Sequence, residues 1–451
     1  MTHDEAYSFF NIKKFWHVQF LCNANSHWIN SLAMKISVLL GGEYPVQLRW
    51  MSLMSAFGYF FASFFFIRSL KDPASKLFAF SFIVLNLFVL DYFVLARGYA
   101  SGLFFLSISL LFFHLKFRQQ KNHFTYLSLI CAGLSAISNF NFFYFFVAFS
   151  VYFHYRLYFF EGWGFLKNKR FYFHMFISLG FTLLVLRALL FIKRCSNDFG
   201  LGTEDFLVIF SSYFDSLHYI GNNLSETMKL FTGIILASLS FIAAICGVIF
   251  YKKHQNSLYT MCSAIFMMMM GFVIVNRFAF GVLYPYYRSA LPLYPVFMIN
   301  IICFSEWLIT GHLARKIIYP VISVYFIYLF LSGINLRYTF DFYHQCNSKE
   351  SFDLLQKLGA KKIAMSHEHW GVYINYYYES KNYNYNFKAE RLNTYEINPD
   401  KKQQRKLQNY EYLILYPPYD LSYYEKSNLH FEAIKIFEVS KTIILKIESS
   451  Q

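Results

Sequence analysis

Charge is the first thing this chain lacks. Only 15% of its residues are Asp, Glu, Lys or Arg, against about 25% in an average soluble domain. A soluble protein could not cover its surface with so few ionic groups. Acid is scarcer than base: 26 Asp and Glu face 41 Lys and Arg, for a net charge of +15. The basic residues form no stripe and accompany no nucleic-acid-binding module, so nucleic acid is not expected as a partner. Paired cysteines are missing too. Cys22, Cys131, Cys195, Cys246, Cys262, Cys303 and Cys346 include no CxxC, and most lie in apolar runs. Such cysteines read as small buried side chains rather than a metal cluster. Glycine and proline are sparse, 20 and 9 residues, and no internal repeat is visible. Both absences disfavour a transporter built from repeated, broken helices.

Apolar residues take their place. They make up 56% of the chain, and aromatics alone 22%. A membrane-crossing helix needs roughly 20 apolar residues. The pattern predicts about ten such runs, near 45–69, 77–95, 99–115, 124–138, 141–160, 172–193, 228–251, 258–276, 285–308 and 317–334. Basic residues cluster between them at Arg68, Lys71 and Lys76; Lys116, Arg118 and Lys121; Arg156, Lys167, Lys169 and Arg170; Lys252 and Lys253; and Arg315 and Lys316. With alternating spans every cluster lands on one side, which the positive-inside rule makes cytoplasmic. Residues 1–44, the Asp91–Gly102, Ser138–Asn141 and Arg277–Pro285 turns, the 194–227 loop and everything after Gly333 then lie outside.

The expected fold is therefore mainly α: a polytopic transmembrane helical bundle over 1–334, with a first outer loop at 1–44. The tail from 335 to 451 is polar and carries alternating runs such as YEYLILYP and KTIILKIE. It reads as an extracytoplasmic α/β domain of about 115 residues, long enough for its own core. Its aromatic stretch HEHWGVYINYYY reads either as a sugar or lipid platform or as packing against the membrane-facing rim.

Three blocks carry polar chemistry. The chain opens MTHDEAYSFF, with Asp4 beside Glu5, and continues to CNANSHWINSLAMK, which holds Asn25, His27 and Asn30; YPVQLRW then places Arg49 at the first run. Asp91 to Ser101 read DYFVLARGYAS, and Tyr284 to Pro295 read YPYYRSALPLYP. Together they resemble the GT-C superfamily of membrane glycosyltransferases. The closest likeness is to the bacterial branch related to the protein O-mannosyltransferases and the lipid A aminoarabinose transferases. The likeness covers the whole chain in layout and is specific only in these blocks. Members of that family carry one more span before the acidic pair, so the resemblance implies a helix upstream of Met1 in the native protein.

The resemblance implies an inner-membrane enzyme with an extracytoplasmic active site. It would transfer a sugar, with inversion, from a polyprenyl-phosphate donor to a lipid or glycan acceptor. An acceptor hydroxyl needs a base as the new bond forms, and Asp4 matches that role. Glu5 would orient or bind, Asp91 would be a second site acid, and Arg97, Tyr99 and Arg288 would hold the donor and its phosphate. Asn25, His27 and Asn30 would organise the first-loop site. Each has a plainer reading: acids favoured at a helix N-terminus, Asn and Ser as caps, arginines that snorkel to the interface. One His with two acids is not a metal signature; no cofactor is assigned, and a divalent metal beside Asp4 and His27 stays open. The resemblance also leads us to expect Asp4, His27, Asp91 and Arg97 to converge on one cavity. The rival readings are a transporter or flippase for a lipid-linked sugar and a non-catalytic assembly protein with an outer domain.

Overall fold

The computed structural model describes residues 2–14, 27–162, 167–195, 202–217, 225–249, 257–309, 312–335, 346–365, 376, 380, 389–391, 407, 409–415 and 430–448. The helices are α1 (His3–Lys14), α2 (Trp28–Leu39), α3 (Pro45–Leu48), α4 (Trp50–Ser69), α5 (Pro73–Ile83), α6 (Leu87–Asp91), α7 (Gly98–Gln119) and α8 (His123–Ser138). They continue as α9 (Phe143–Glu161), α10 (Lys169–Cys195), α11 (Val208–Leu217), α12 (Glu226–Ile249), α13 (Ser257–Phe280), α14 (Leu293–Leu308), α15 (His312–Gly333) and α16 (Ser348–Lys357). Contacts divide the chain into two compact units. One holds Met1–His17, Ala33–Arg49 and Asn335–Gln451; the other holds Val18–Leu32 and Trp50–Ile334.

The larger unit is a helical bundle. Among the described residues, α4, α7, α10, α12, α13 and α15 are long and apolar enough to cross a membrane. α5 and α6 with the turn after it are apolar enough together, but bent by 48°, which makes them a broken span or a re-entrant loop. The sequence read that run as one continuous helix. It breaks because the Asn86 side chain accepts a hydrogen bond from Val89 N at 3.2 Å and starts a new helix. The other three expected runs form α8, α9 and α14. At 16 residues, α8 and α14 are about 24 Å long, short of a ~30 Å hydrocarbon core. The last of these begins at Leu293 rather than near 285. Pro292 lacks an N–H and opens the helix, and the residues before it form a short strand, β2 (Tyr284–Pro285), paired antiparallel with β1 (Gly202–Thr203), and a 3-10 turn.

Burial separates centre from rim. The apolar stretch of α13 is 56% buried, while those of α10 and α15 are 22% and 17% buried and turn apolar surface outward. Interior contacts follow the composition. Phe113 is ringed by Phe117, Phe149 and Phe153 at centroid distances of 4.9, 5.4 and 5.3 Å. Polar side chains join helices without charge: Ser135 donates to the Gly102 carbonyl at 2.9 Å, and Ser263 donates to Asn300 at 2.7 Å. Such bonds hold helices together where the surroundings are as apolar as the helices themselves.

The smaller unit contains a five-stranded mixed sheet in the order β4–β3–β5–β7–β6, with β3 (Ile363–Met365), β4 (Ala389–Arg391), β5 (Tyr412–Leu415), β6 (His430–Ile436) and β7 (Ile443–Glu448). β3 runs parallel to β4 and β5, and β7 runs antiparallel to β5 and β6. The run YEYLILYP supplies β5 and KTIILKIE supplies β7. Leu413, Leu415, Ile443, Leu445 and Ile447 meet in one core at the period of two that a strand imposes. Within this unit the fully buried Tyr376 packs edge-on against Phe9 at 5.0 Å and donates to the Glu43 carbonyl. The rest of the HEHWGVYINYYY stretch lies outside the described residues.

Candidate functional site

Asp4 and Glu5 sit in the first turn of α1, where the helix dipole favours negative charge. Glu5 is fully buried. Arg49 donates from Nε to Oε1 at 2.7 Å and from Nη2 to Oε2 at 2.6 Å, and the backbone N–H of Thr2 adds a bond to Oε2 at 2.7 Å. This bidentate pair commits the Glu5 carboxylate to holding α1 on the segment that precedes α4. Asp4 is buried, and its backbone carbonyl accepts from Ser8 Oγ at 3.0 Å. Glu43, also buried, pairs with Lys13 at 3.3 Å. All these contacts lie within the smaller unit.

In the larger unit the DYFVLARGYAS block forms the turn between α6 and α7. Asn30 donates to the Ala96 carbonyl at 2.5 Å and Ser52 to the Leu95 carbonyl at 2.6 Å. The Asn of the first block is therefore a clamp on the second. Gly98 has no room for a side chain: a Cβ there would stand 1.8 Å from the Ser138 carbonyl and 3.0 Å from His27 Nδ1. This close approach brings the start of α7 against the end of α8. Arg97 is 2% exposed, and its guanidinium lies 5.4 Å from the Tyr99 ring centre. The His27 and Tyr92 rings approach Tyr99 at 5.7 and 4.9 Å. Asp91 ends α6 half-buried. Asn25 lies outside the described residues.

Tyr99 leads into a cavity of about 460 Å³ that lies wholly within this unit. Its walls are apolar along α9, α10 and α13, through Phe143, Val147, Leu186, Leu189, Leu190, Phe272 and Phe280. Its polar lining is Tyr99, Asn139, Asn141, Tyr144, Lys193, Asn276, Arg288 and Ser289. The described lining thus holds two cations and no carboxylate. Arg288 is half-buried in a 3-10 turn, Tyr287–Ala290. That turn is fixed by an unusual neighbour. Tyr287 has φ of 44°, a left-handed conformation that side chains disfavour. Its N–H donates to Ser212 at 3.4 Å, its hydroxyl lies 3.5 Å from the Asp215 carboxylate, and burial pushes the phenol well above its ordinary pKa.

The structure therefore brings His27, Asn30, Arg97, Tyr99 and Arg288 around one end of the larger unit, while Asp4 and Glu5 belong to the smaller one. Sequence reasoning missed Lys193 and the carboxamides Asn139, Asn141 and Asn276. A signal for Lys193 existed: it ends the sixth apolar run opposite Lys169 and Arg170, where the positive-inside pattern leaves few cations. The asparagines looked like turn formers, and Asn139 does cap the turn after α8, accepting from Asn141 N at 3.0 Å. Among the described residues no three His, Cys, Asp or Glu side chains cluster as metal ligands.

Neither the protein-family models nor the curated proteins match this chain. Among solved structures, the crystal structure of ArnT from Cupriavidus metallidurans in the apo state superposes with a TM-score of 0.54. It is 10% identical in sequence, and the match covers 98% of this chain and 93% of that one. The chain therefore shares the overall fold of that ArnT structure, a bundle of apolar helices with a mixed-sheet unit in this chain.

Proposed function

We propose that this protein is an integral membrane glycosyltransferase of the GT-C type that moves a sugar from a polyprenyl-phosphate donor to an acceptor on a lipid or glycan. The observation that carries this reading is the cavity. Its apolar walls suit an isoprenoid chain, and Lys193 and Arg288 suit a phosphate. The described lining holds no carboxylate. Its volume lies in the range of small-molecule sites, about 300–1,000 Å³. The positive-inside rule supports an extracytoplasmic site: Tyr99 begins α7, and Lys116 and Arg118 stand at its other end, about 30 Å away.

In the proposed reaction the acceptor oxygen attacks the anomeric carbon with inversion. The bond from that carbon to the phosphate oxygen breaks, and polyprenyl phosphate leaves. Asp4 takes the acceptor proton, with Asp91 as a second acid. Lys193 and Arg288 stabilise the charge that grows on the leaving phosphate. Arg97, buried under Tyr99, adds positive potential beside them.

The test uses the full chain in lipid nanodiscs with a polyprenyl-phosphate sugar and candidate acceptors. Transfer that depends on Lys193 and Arg288 supports the reading. In vesicles, movement of the sugar lipid across the bilayer with no transfer would instead make the protein a flippase.

A further inference from the structure

The end of the larger unit opposite the cavity concentrates charge of one sign. From Tyr92 to Asn197 the chain holds one acid, Glu161, and eleven Lys or Arg. Seven of those cations stand where α7 turns into α8 and where α9 leads to α10. Lys116, Arg118 and Lys121 lie at the first connection, and Arg156, Lys167, Lys169 and Arg170 at the second. The neighbouring α4–α5 and α14–α15 turns mix their signs instead, with Asp72 and Glu306 among Lys71 and Arg315. One carboxylate cannot offset seven cations, so the α7–α10 sector carries a positive field.

Contacts bring the two connections together. Lys116, Asn122, Tyr126, Arg170 and His174 line one small pocket. Lys116 Nζ donates to Asn122 Oδ1 at 2.7 Å, and the Arg156 guanidinium lies 5.6 Å from the ring centre of Phe117, the next residue. The pocket's volume is about 10 Å³. That is room for a single oxygen atom, so it suits one corner of a phosphate rather than a whole soluble ligand. Bare apolar surface begins at the pocket's own wall. The Tyr126 ring lies 5.4 Å from that of Phe173, and Tyr172, Phe173 and Phe176 are 64%, 51% and 73% exposed along the first two turns of α10. Because α10 is long and apolar enough to cross a membrane, its cations stand at headgroup level and these rings just beneath, among acyl chains.

We propose that this pocket binds an anionic phospholipid of the leaflet at that end. Its phosphate sits between Lys116 and Arg170, with the guanidinium forking onto two oxygens. Its acyl chains run along Tyr172, Phe173 and Phe176. The remaining five cations favour a lipid with net negative charge over a zwitterionic one, whose ammonium they repel. The site stands about 30 Å from the cavity along α7 and does not rest on the donor reading.

The test uses the full chain in nanodiscs of phosphatidylcholine with and without phosphatidylglycerol. Native mass spectrometry counts the lipids retained, and titration with a fluorescent phosphatidylglycerol gives the affinity. The wild type should hold phosphatidylglycerol roughly tenfold more tightly than phosphatidylcholine. Lys116→Gln with Arg170→Gln should weaken that binding roughly twenty-five-fold, about fivefold for each cation at an anionic surface. Arg68→Gln with Lys76→Gln removes the same charge from the mixed-sign sector and should leave the affinity nearly unchanged. Arg170→Gln alone alters an exposed side chain at the start of α10. It keeps the test open if the double variant fails to fold, and it should cost about fivefold. Equal retention of the two lipids overturns the proposal. So does an equal loss in the two double variants, which would make the attraction a property of the whole end and not of a site. Displacement of phosphatidylglycerol by millimolar inorganic phosphate would assign the pocket to a soluble anion and overturn the lipid reading.

Discussion

Two places in the molecule set charge in different surroundings. In the smaller unit Glu5 meets Arg49 through two parallel bonds and Thr2 through a third, so its carboxylate is saturated. In the larger unit Lys193 and Arg288 stand on a cavity wall that holds no described carboxylate. Saturated charge is architecture, because any ligand would first have to break the pair. Positive charge on the wall of an apolar cavity favours an anion. The contrast also separates neighbours in sequence: the paired Glu5 is unsuited to proton transfer, which leaves Asp4 as the base of the proposed reaction.

Removing the base tests that contrast hardest. Asp4→Asn keeps shape and hydrogen bonding but cannot take a proton, so turnover should fall about 10²- to 10⁴-fold. Binding of the polyprenyl-phosphate donor should be retained. Undiminished turnover would remove Asp4 from the mechanism and return both acids of the first turn to architecture.

Next in size is the pair itself. Arg49→Ala leaves Glu5 buried with an unpaired charge, and breaking a buried pair typically costs about 3–5 kcal/mol. Arg49 is 23% exposed at its side chain, so water softens the loss toward the lower figure. Thermal unfolding of the purified chain measures it. Arg49→Lys keeps the charge but not the fork and should fall between wild type and Ala. A variant as stable as wild type would show that the pair is not what holds α1.

On the cavity side the expected loss is one of affinity. Arg288→Ala should weaken donor binding roughly tenfold to a hundredfold, the worth of a hydrogen bond to a charged group. Lys193→Ala should lose less, because Lys193 is exposed. Both losses should shrink as salt rises, since exposed charges are screened. Wild-type affinity in both variants would strip the cavity of its phosphate role.

The parts of this contrast were unequally legible in the sequence. The apolar runs predicted the helices to within a few residues wherever no side chain interfered, as at α8, where the expected 124–138 became His123–Ser138. They failed at Asn86 and Pro292, where a single residue ends or starts a helix inside an apolar run. The period-two runs of the tail became β5 and β7 because alternation survives a short strand. Arg97, Tyr99 and Arg288 were visible as charge and aromatics in the DYFVLARGYAS and YPYYRSALPLYP blocks. Asn139 was not, because its cap of the turn after α8 is a contact that only the folded structure shows. Nor did spacing reveal that Asn30 holds the Ala96 carbonyl.

A finer test probes the clamp that carries Arg97 and Tyr99 to the cavity. Ser52 donates to the Leu95 carbonyl at 2.6 Å, and its hydroxyl also lies 3.5 Å from Asn30 Oδ1. Ser52→Ala removes one neutral hydrogen bond and leaves a buried carbonyl short of a partner, a loss of about 0.5–1.5 kcal/mol. Asn30 still holds Ala96, so the turn should keep its shape and the unfolding midpoint should drop only slightly. Donor affinity should fall no more than stability does. Thermal unfolding and donor titration on the same preparation decide between two roles for the clamp. Matched small losses make it a fastener of the turn. A loss of donor affinity well beyond the loss of stability would mean that the position of Leu95–Arg97, and not merely its retention, is set by Ser52.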